Sequence, residues 1–291
     1  MKLFNELLTV EISPLGAELS SIRYQDHEFL WQGSQKYWKS RAINLFPFVG
    51  RNYQDSYTYK GKTYHINQHG FLRNTILEEN QINDTHGYFH MTDTEETLNV
   101  YPFHFDLEIH YHLEETTLSI TYRIHNTNDT DMYFGFGGHP GFNIPFVDGH
   151  LFNEYQVDFI DANNPKRILY SEDNLPTGEE ENYPLHNGTI LPLNHSLFDR
   201  GIILLKNSGH KAVLSHQSKE GYSIQLEYPD CQYLGLWHTP QSDAPFICLE
   251  PWAALPGRDQ ILEDLSTKPN TIHLKPHEEY TNKLFLTIQK Q

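Results

Sequence analysis

Basic residues are scarce in this chain of 291 residues, which has 21 Lys and Arg against 38 Asp and Glu and a formal net charge of −17. An acidic chain without a basic run is a poor partner for nucleic acid or for an anionic membrane, because binding phosphates requires cations. The sequence also has no hydrophobic run of transmembrane length and no apolar segment of signal-peptide length near Met1. We therefore expect a cytoplasmic protein that binds neither nucleic acid nor membrane.

Cysteine is nearly absent, with Cys231 and Cys248 as the only two. Two cysteines are too few for a disulfide scaffold, and both stand among apolar residues, so we expect buried, reduced thiols. The chain also contains no Gly-x-Ser-x-Gly elbow, phosphate-binding loop, paired-cysteine motif or His-Glu-x-x-His. These absences leave esterase, nucleotide and zinc chemistry without their usual sequence support.

Helical periodicity is missing as well, since no long segment repeats apolar residues every three or four positions. Short strand-like segments recur between turns instead, and Phe103–Ile124 alternates apolar and polar residues as a half-buried hairpin does. The pattern predicts an all-β sandwich of antiparallel sheets, in one domain that spans residues 1–291. Asp161–Asn187 is polar and without period, and we expect a long loop or insertion there.

A stretch rich in glycine and proline, Gly135–Phe146, surrounds a single histidine, His139. Glycine lets the backbone approach a ligand closely, and proline interrupts ladder pairing, so the stretch predicts a bent apolar segment that holds an imidazole. The alternative is a glycine-rich corner whose histidine only packs. A second histidine, His69, also lies beside a glycine and stands four residues before Arg73.

Three charged residues stand where apolar runs begin or end. They are Arg51 after Ile43–Gly50, Asp199 before Ile202–Leu205, and Glu250 after Phe246–Leu249. Burial at a strand end would raise the pKa of Glu250, and a carboxylate and an imidazole in different environments can form an acid–base pair. Arg51 either faces a pocket or lies on a rim, and Asp199 either binds a ligand or stabilises a turn.

His110 and His112 share one face of the predicted hairpin and could chelate a metal ion. The sequence brings no third ligand toward them, so we expect a solvated polar face there and no metal site.

Five motifs follow one another along nearly the whole chain. They are Gly50-Arg51 with Lys60–Tyr64, Gln68-His69-Gly70, Gly138–Asn143, Phe198-Asp199 and Cys248–Trp252. The series resembles the aldose 1-epimerases, or galactose mutarotases, and in particular their LacX-like branch. The resemblance implies a β-supersandwich and no metal or organic cofactor. It implies a hexose or hexose phosphate as the small-molecule partner, and we expect a monomer or homodimer.

The same resemblance implies a role for each matched residue. The implied roles are proton donor for His139, general base for Glu250, second active-site histidine for His69, and sugar binding for Arg51 and Asp199. Phe71 and Trp237 are expected to cover the apolar face of the sugar. The implied reaction is aldose 1-epimerisation, in which acid–base catalysis opens the sugar ring and closes it again.

The sequence departs from the pattern of galactose mutarotases at two places, and both bear on the substrate and not on the reaction type. Galactose mutarotases often have a glutamine and an aromatic residue before the strand of the base, where this chain has Gly235–His238. The segment His69–Asn74 is similar to hexose-6-phosphate 1-epimerases, in which an arginine at the place of Arg73 faces phosphate. A hexose-6-phosphate epimerase and a sugar-binding protein without turnover therefore stand as alternatives.

Overall fold

The backbone consists of 24 strands and almost no α-helix in the computed structural model, which describes all 291 residues. The first twelve strands are β1 (Lys2–Phe4), β2 (Leu8–Ile12), β3 (Leu19–Tyr24), β4 (His27–Glu28), β5 (Ala42–Leu45), β6 (Ser56–Tyr59), β7 (Lys62–His65), β8 (Glu78–Gln81), β9 (His86–Thr92), β10 (Phe105–Glu114), β11 (Thr117–Asn126) and β12 (Met132–Phe134).

The second half of the chain contributes the other twelve strands. They are β13 (Gly137–Asn143), β14 (Tyr155–Phe159), β15 (Lys166–Tyr170), β16 (Pro176–Asn182), β17 (Ile190–Pro192), β18 (Ile203–Lys206), β19 (Lys211–His216), β20 (Tyr222–Glu227), β21 (Tyr233–Trp237), β22 (Phe246–Trp252), β23 (Ile272–Leu274) and β24 (Glu279–Lys290). Four 3₁₀ turns lie at Tyr53–Asp55, Leu72–Asn74, Phe152–Glu154 and His195–Phe198. The α-helix α1 (Glu95–Val100) has six residues. None of the helices has the length and hydrophobicity of a membrane span.

Two large antiparallel sheets dominate the architecture. One has nine strands in the order β17-β14-β19-β20-β24-β11-β10-β9-β8, and the other has seven in the order β16-β15-β18-β21-β22-β13-β5. A four-stranded sheet, β1-β2-β3-β4, and two strand pairs, β12-β23 and β6-β7, complete the fold. The prediction of an all-β sandwich with antiparallel sheets is confirmed.

The hairpin predicted at Phe103–Ile124 is β10 and β11, which pair from Phe105 opposite Asn126 to Glu114 opposite Thr117. The expectation of a long loop at Asp161–Asn187 is wrong, because β15 and β16 lie there and β15 pairs with β18. β16 is an edge strand that is exposed after its first residue. An edge strand with no buried face needs no apolar alternation, so the sequence lacks the period that predicts a strand.

The core lies between the two large sheets, and one buried polar residue bridges them. Asn44 on β5 accepts a hydrogen bond of 2.8 Å from the Tyr122 hydroxyl on β11. Its amide nitrogen donates to the backbone carbonyls of Gly16 and Ala17, at 2.9 and 3.0 Å. The Ala17 carbonyl also accepts from the Tyr111 hydroxyl at 2.6 Å, whereas the Gly16 carbonyl and the Tyr122 hydroxyl, both away from water, depend on Asn44 for a partner.

We expect Asn44→Ala to lower the free energy of unfolding by about 2–3 kcal/mol, since it leaves two buried polar groups, the Gly16 carbonyl and the Tyr122 hydroxyl, without a partner. Tyr122→Phe leaves only one acceptor unpaired, and we expect a loss of about 1 kcal/mol. Urea denaturation followed by tryptophan fluorescence measures both. Equal losses, or a loss below about 0.5 kcal/mol for Asn44→Ala, would contradict this account of the bridge.

Candidate active site

The register between β13 and β22 places His139 directly opposite Glu250. Gly137 pairs with Trp252 and Gly141 with Cys248, so the residue midway along each segment faces its counterpart. Pairing is interrupted between these two points, where Pro140 and Pro251 have no N–H to donate.

His139 and Glu250 belong to the outer face of the seven-stranded sheet. A β-carbon on Gly138 would point at Leu284 of the nine-stranded sheet, at 3.4 Å, so Gly138 faces inward and its neighbour His139 faces outward. Cross-strand pairing continues the same row to Ile43 on one side and to Gly235 on the other. A β-carbon on Gly235 would meet Ile202 Cδ1 at 2.8 Å and the Glu250 β-carbon at 3.2 Å, so the glycine makes room for both side chains.

The two groups form a close, buried contact. His139 Nε2 lies 3.2 Å from Glu250 Oε2, and both side chains are buried. Burial lowers the pKa of His139 well below its usual value, and nearby His69 and Arg73 lower it further, while burial raises the pKa of Glu250 well above its usual value. The neutral pair and the imidazolium–carboxylate pair hold the same number of protons, so one proton shift along the contact interconverts them. Burial favours the neutral arrangement.

His69 is held in place by two hydrogen bonds with the backbone of Gly50. Its N–H donates to the Gly50 carbonyl at 2.7 Å, and its Nδ1 accepts from the Gly50 N–H at 3.0 Å. Burial, with the charge of Arg73, lowers the pKa of His69 to about 3, so the ring is neutral with its proton on Nε2. Nε2 lies 3.2 Å from the Gln68 side-chain amide. His69 is therefore a neutral hydrogen-bond donor.

The His69 position requires unusual backbone geometry. His69 and Gly70 have φ values of 69° and 71°, in the left-handed region. A β-carbon on Gly70 would meet the Phe46 carbonyl oxygen at 2.2 Å. Glycine at position 70 is thus required by space as well as by φ.

A cavity of about 430 Å³ opens over His139 and Glu250, within the usual size range of small-molecule sites. Six of the predicted site residues line it, and they are His139, Glu250, His69, Arg51, Arg73 and Trp237. Residues that are far apart in the sequence therefore meet around one space.

Aromatic rings form one wall of the cavity. Trp38 stacks on His139 with ring centroids 4.7 Å apart, and Trp237 meets the same imidazole edge-on at 5.7 Å. Trp252 also lines the cavity, and its ring lies 6.5 Å from His69. Such rings suit the apolar face of a flat, polar ligand.

The two arginines differ in how they are neutralised. Arg51 forms a two-pronged ion pair with Asp55, at 3.2 and 3.3 Å. Arg73 donates to the Ser40 hydroxyl at 3.4 Å, and burial lowers the pKa of Arg73, with Glu18 partly offsetting the effect. No carboxylate lies within ion-pair distance of Arg73, so this cation faces the cavity without a direct counter-ion.

Two predicted site residues lie elsewhere. Phe71 stacks on Phe105 with centroids 6.0 Å apart and packs on the core, and it lines a separate cleft of about 670 Å³ that contains neither His139 nor Glu250. Asp199 is exposed at the end of a 3₁₀ turn and does not line the cavity, whose wall there is Gly201 and Ile202. We expected both side chains to contact the ligand, but neither of them lines the cavity. Phe71 instead packs against Phe46 and Phe105, with ring centroids 5.8 and 6.0 Å from it.

Among the lining residues that the sequence did not predict as site residues, three are aromatic, namely Trp38, Tyr170 and Trp252. Trp252 follows the predicted base by two positions and so shares its face of β22, a strand-period signal that was available. Tyr170 ends β15, in the region that we expected to be a loop. Trp38 lies outside any strand, and no local pattern marks it.

His139, Cys248 and Glu250 are the residues that could hold a metal ion, because one possible ligand atom from each lies within 4.8 Å of the others. Burial raises the pKa of the Cys248 thiol well above its usual value, so a metal would have to displace a tightly held proton. On the nine-stranded sheet, His86 joins His110 and His112 with ring centroids 5.8 and 5.5 Å from it, and His110 hydrogen-bonds to Glu108.

Comparisons with a family model, with related sequences and with solved structures agree with one another. The family model described as aldose 1-epimerase matches residues 2–287. The chromosomal protein LacX of Lactococcus lactis subsp. lactis is 31% identical over 290 residues, which cover 95% of each chain. A solved galactose mutarotase related enzyme from Lactobacillus acidophilus has a TM-score of 0.93 at 32% identity, covering 100% of this chain and 97% of its own. A galactose mutarotase-like protein from Lactobacillus casei ATCC 334 has a TM-score of 0.94 at 30% identity, covering 99% of each chain.

We expect the buried carboxyl group to make stability depend on pH. The pKa of Glu250 is raised on folding, so the native state keeps a proton that the unfolded chain loses above about pH 4.3. The unfolding free energy of the wild type should therefore fall, relative to Glu250→Gln, by up to about 1.4 kcal/mol per pH unit from pH 5 upward, until the raised pKa is passed. Urea denaturation of both proteins between pH 5 and 8 measures the difference. Parallel curves would show that Glu250 is not a raised, buried acid.

Proposed function

Because this chain belongs to the aldose 1-epimerase family, we propose that it interconverts the α and β anomers of a free hexose in the cytoplasm. The observation that carries the proposal is the buried contact of 3.2 Å between His139 and Glu250 beneath a cavity of about 430 Å³. The family match over residues 2–287 supports a single epimerase domain.

The proposed reaction opens and recloses the pyranose ring. The Glu250 carboxylate accepts the proton of the anomeric hydroxyl, and the His139 imidazolium donates a proton to the ring oxygen as the bond between that oxygen and C1 breaks. The product is the open-chain aldehyde with a hydroxyl on C5. Rotation about C1–C2 presents the other face of the aldehyde, and the same two transfers in reverse close the other anomer. An adjacent acid and base suit this chemistry because both oxygens belong to C1 in the ring form.

Burial supports the direction of the first step. Ring opening converts the imidazolium–carboxylate pair into a neutral imidazole and a carboxylic acid, and burial favours this neutral pair. The desolvated ion pair is therefore a stronger acid and base than the same groups in water. Each positioned proton transfer contributes a factor of about 10²–10⁴ to the rate.

The remaining cavity residues support binding. His69, neutral with its proton on Nε2, is suited to donate a hydrogen bond near the ring oxygen. Arg51 is suited to contact sugar hydroxyls, and Trp38 and Trp237 to cover the apolar face of the ring.

A phosphorylated hexose is the second candidate substrate, and Arg73 favours it. A cleft of about 400 Å³ adjoins the cavity and shares Arg51, Gln68 and Arg73 with it. Arg73 has no direct carboxylate partner, so an anionic substituent in this cleft would supply one.

We expect Glu250→Gln and His139→Asn each to lower kcat by about 10²-fold or more, because each removes one of the two proton transfers. Polarimetry of freshly dissolved α-glucose and α-galactose measures the rate, and His112→Asn, on the other sheet, is the matched control. Near-normal rates in either folded variant would refute the assigned roles. A wild type that binds sugar without accelerating mutarotation would be a carbohydrate-binding protein.

We expect the wild type to accelerate mutarotation of free glucose or galactose with a higher kcat/KM than glucose 6-phosphate. Arg73→Ala should then change KM for the free sugar less than about threefold, because a neutral hydroxyl gains little from a nearby cation. Anomer-exchange NMR measures all three sugars, with Arg123→Ala on the nine-stranded sheet as the control. A preference for glucose 6-phosphate that Arg73→Ala abolishes would instead establish the phosphorylated substrate.

A further inference from the structure

Four buried polar atoms around the cavity have no hydrogen-bond partner. They are Nδ1 of His139, Oε1 of Glu250, the hydroxyl of Tyr170 and Nε1 of Trp252. A buried polar group without a partner is destabilising, and native proteins contain few of them. The proposed reaction uses His139 and Glu250 and leaves the other two atoms without a role.

Tyr170 lies on β15, which β18, β21 and β22 separate from the His139 strand, β13, in the seven-stranded sheet. It is the last residue of β15, and it packs against the apolar cluster on the outer face that includes Ile168 and Trp252. Ile202 also lines the cavity, and its side chain occupies the space above Gly235, the cross-strand neighbour of Glu250. Tyr170 thus lines the same cavity as the catalytic pair, and its hydroxyl is buried there without a hydrogen-bond partner.

The protonation of Tyr170 determines what it can offer a ligand. Burial raises its pKa far above the usual value, and the charge of Glu250 adds to the effect. The phenol is thus a permanent hydrogen-bond donor at neutral pH. Asp199, which the sequence predicted as a sugar-binding residue, does not line this cavity. Tyr170, a neutral donor, does line it.

We propose that Tyr170 is a specificity-determining residue whose hydroxyl donates a hydrogen bond to one hydroxyl group of the bound hexose. This inference rests on the proposed function, because it assumes a sugar in the cavity. A site built to pair with a ligand hydroxyl rejects an analogue that lacks it, since the protein group is then left unpaired. Trp252 Nε1 is a second unpaired donor on the same cavity.

The test uses Tyr170→Phe, which removes only the hydroxyl, and Tyr233→Phe as the control. Tyr233 is buried on β21 in the same outer-face cluster and does not line the cavity. Calorimetry with the 1,5-anhydro analogues of glucose and galactose measures binding without turnover, because these sugars cannot open. We expect the Kd of the preferred analogue to rise about tenfold in Tyr170→Phe and to stay unchanged in Tyr233→Phe.

Deoxy analogues identify the partner hydroxyl. The wild type and Tyr170→Phe should bind one deoxy analogue equally and differ for all others. In addition, Tyr170→Phe without ligand should unfold at a higher urea concentration than the wild type, because it no longer buries an unpaired hydroxyl. A structural role for the hydroxyl would produce the opposite shift.

Three outcomes would overturn the proposal: unchanged Kd, the same loss for every deoxy analogue, or lower stability together with weaker binding. Polarimetry separates this inference from the proposed function. Binding that depends on Tyr170 in a protein without mutarotase activity would refute the reaction and retain the Tyr170 contact. Normal activity and binding in Tyr170→Phe would refute only the contact.

Discussion

The contact between His139 and Glu250 across β13 and β22 is the interaction on which the site depends. Antiparallel register brings residues more than a hundred positions apart to within 3.2 Å, and a shift of one residue would turn either side chain to the inner face. The prolines that follow each of them, Pro140 and Pro251, interrupt the hydrogen-bond ladder at the same place. The sheet thus carries the reactive groups where its own pairing is incomplete.

Two charged groups in a buried contact would ordinarily be costly, and the structure compensates in a particular way. Burial moves the pKa of the acid up and the pKa of the imidazole down, so the pair can rest in a neutral form and still hold the proton needed for the charged one. The same burial leaves polar atoms of both residues without partners. Unpaired buried atoms lower stability, and a polyhydroxy ligand would satisfy them, so the site favours binding over stability of the empty protein.

The cavity walls come from parts of the chain with different structures. The floor is sheet, whereas His69 and Arg73 come from a left-handed turn and a 3₁₀ turn, and Trp38 comes from an irregular segment. Gly50 and Gly70 allow this arrangement, because a β-carbon at either position would overlap Pro256 or Phe46. A rigid sheet that positions the acid–base pair is thus combined with loops that shape the space above it.

The sequence by itself determined the all-β class, the hairpin of β10 and β11, and the candidate pair His139 and Glu250, because strand alternation and a charged residue ending an apolar run are local signals. It also placed His69, Arg51, Arg73 and Trp237 among the site residues, all of which line the cavity. Only the tertiary structure decided that Phe71 faces the core, that Asp199 lies outside the cavity, and that Tyr170 and Trp38 line it. The physical reason is that cavity lining depends on side-chain direction and on the neighbours that pack from distant segments. An edge strand such as β16 and an irregular segment such as that of Trp38 show no sequence period from which side-chain direction or distant neighbours could be predicted.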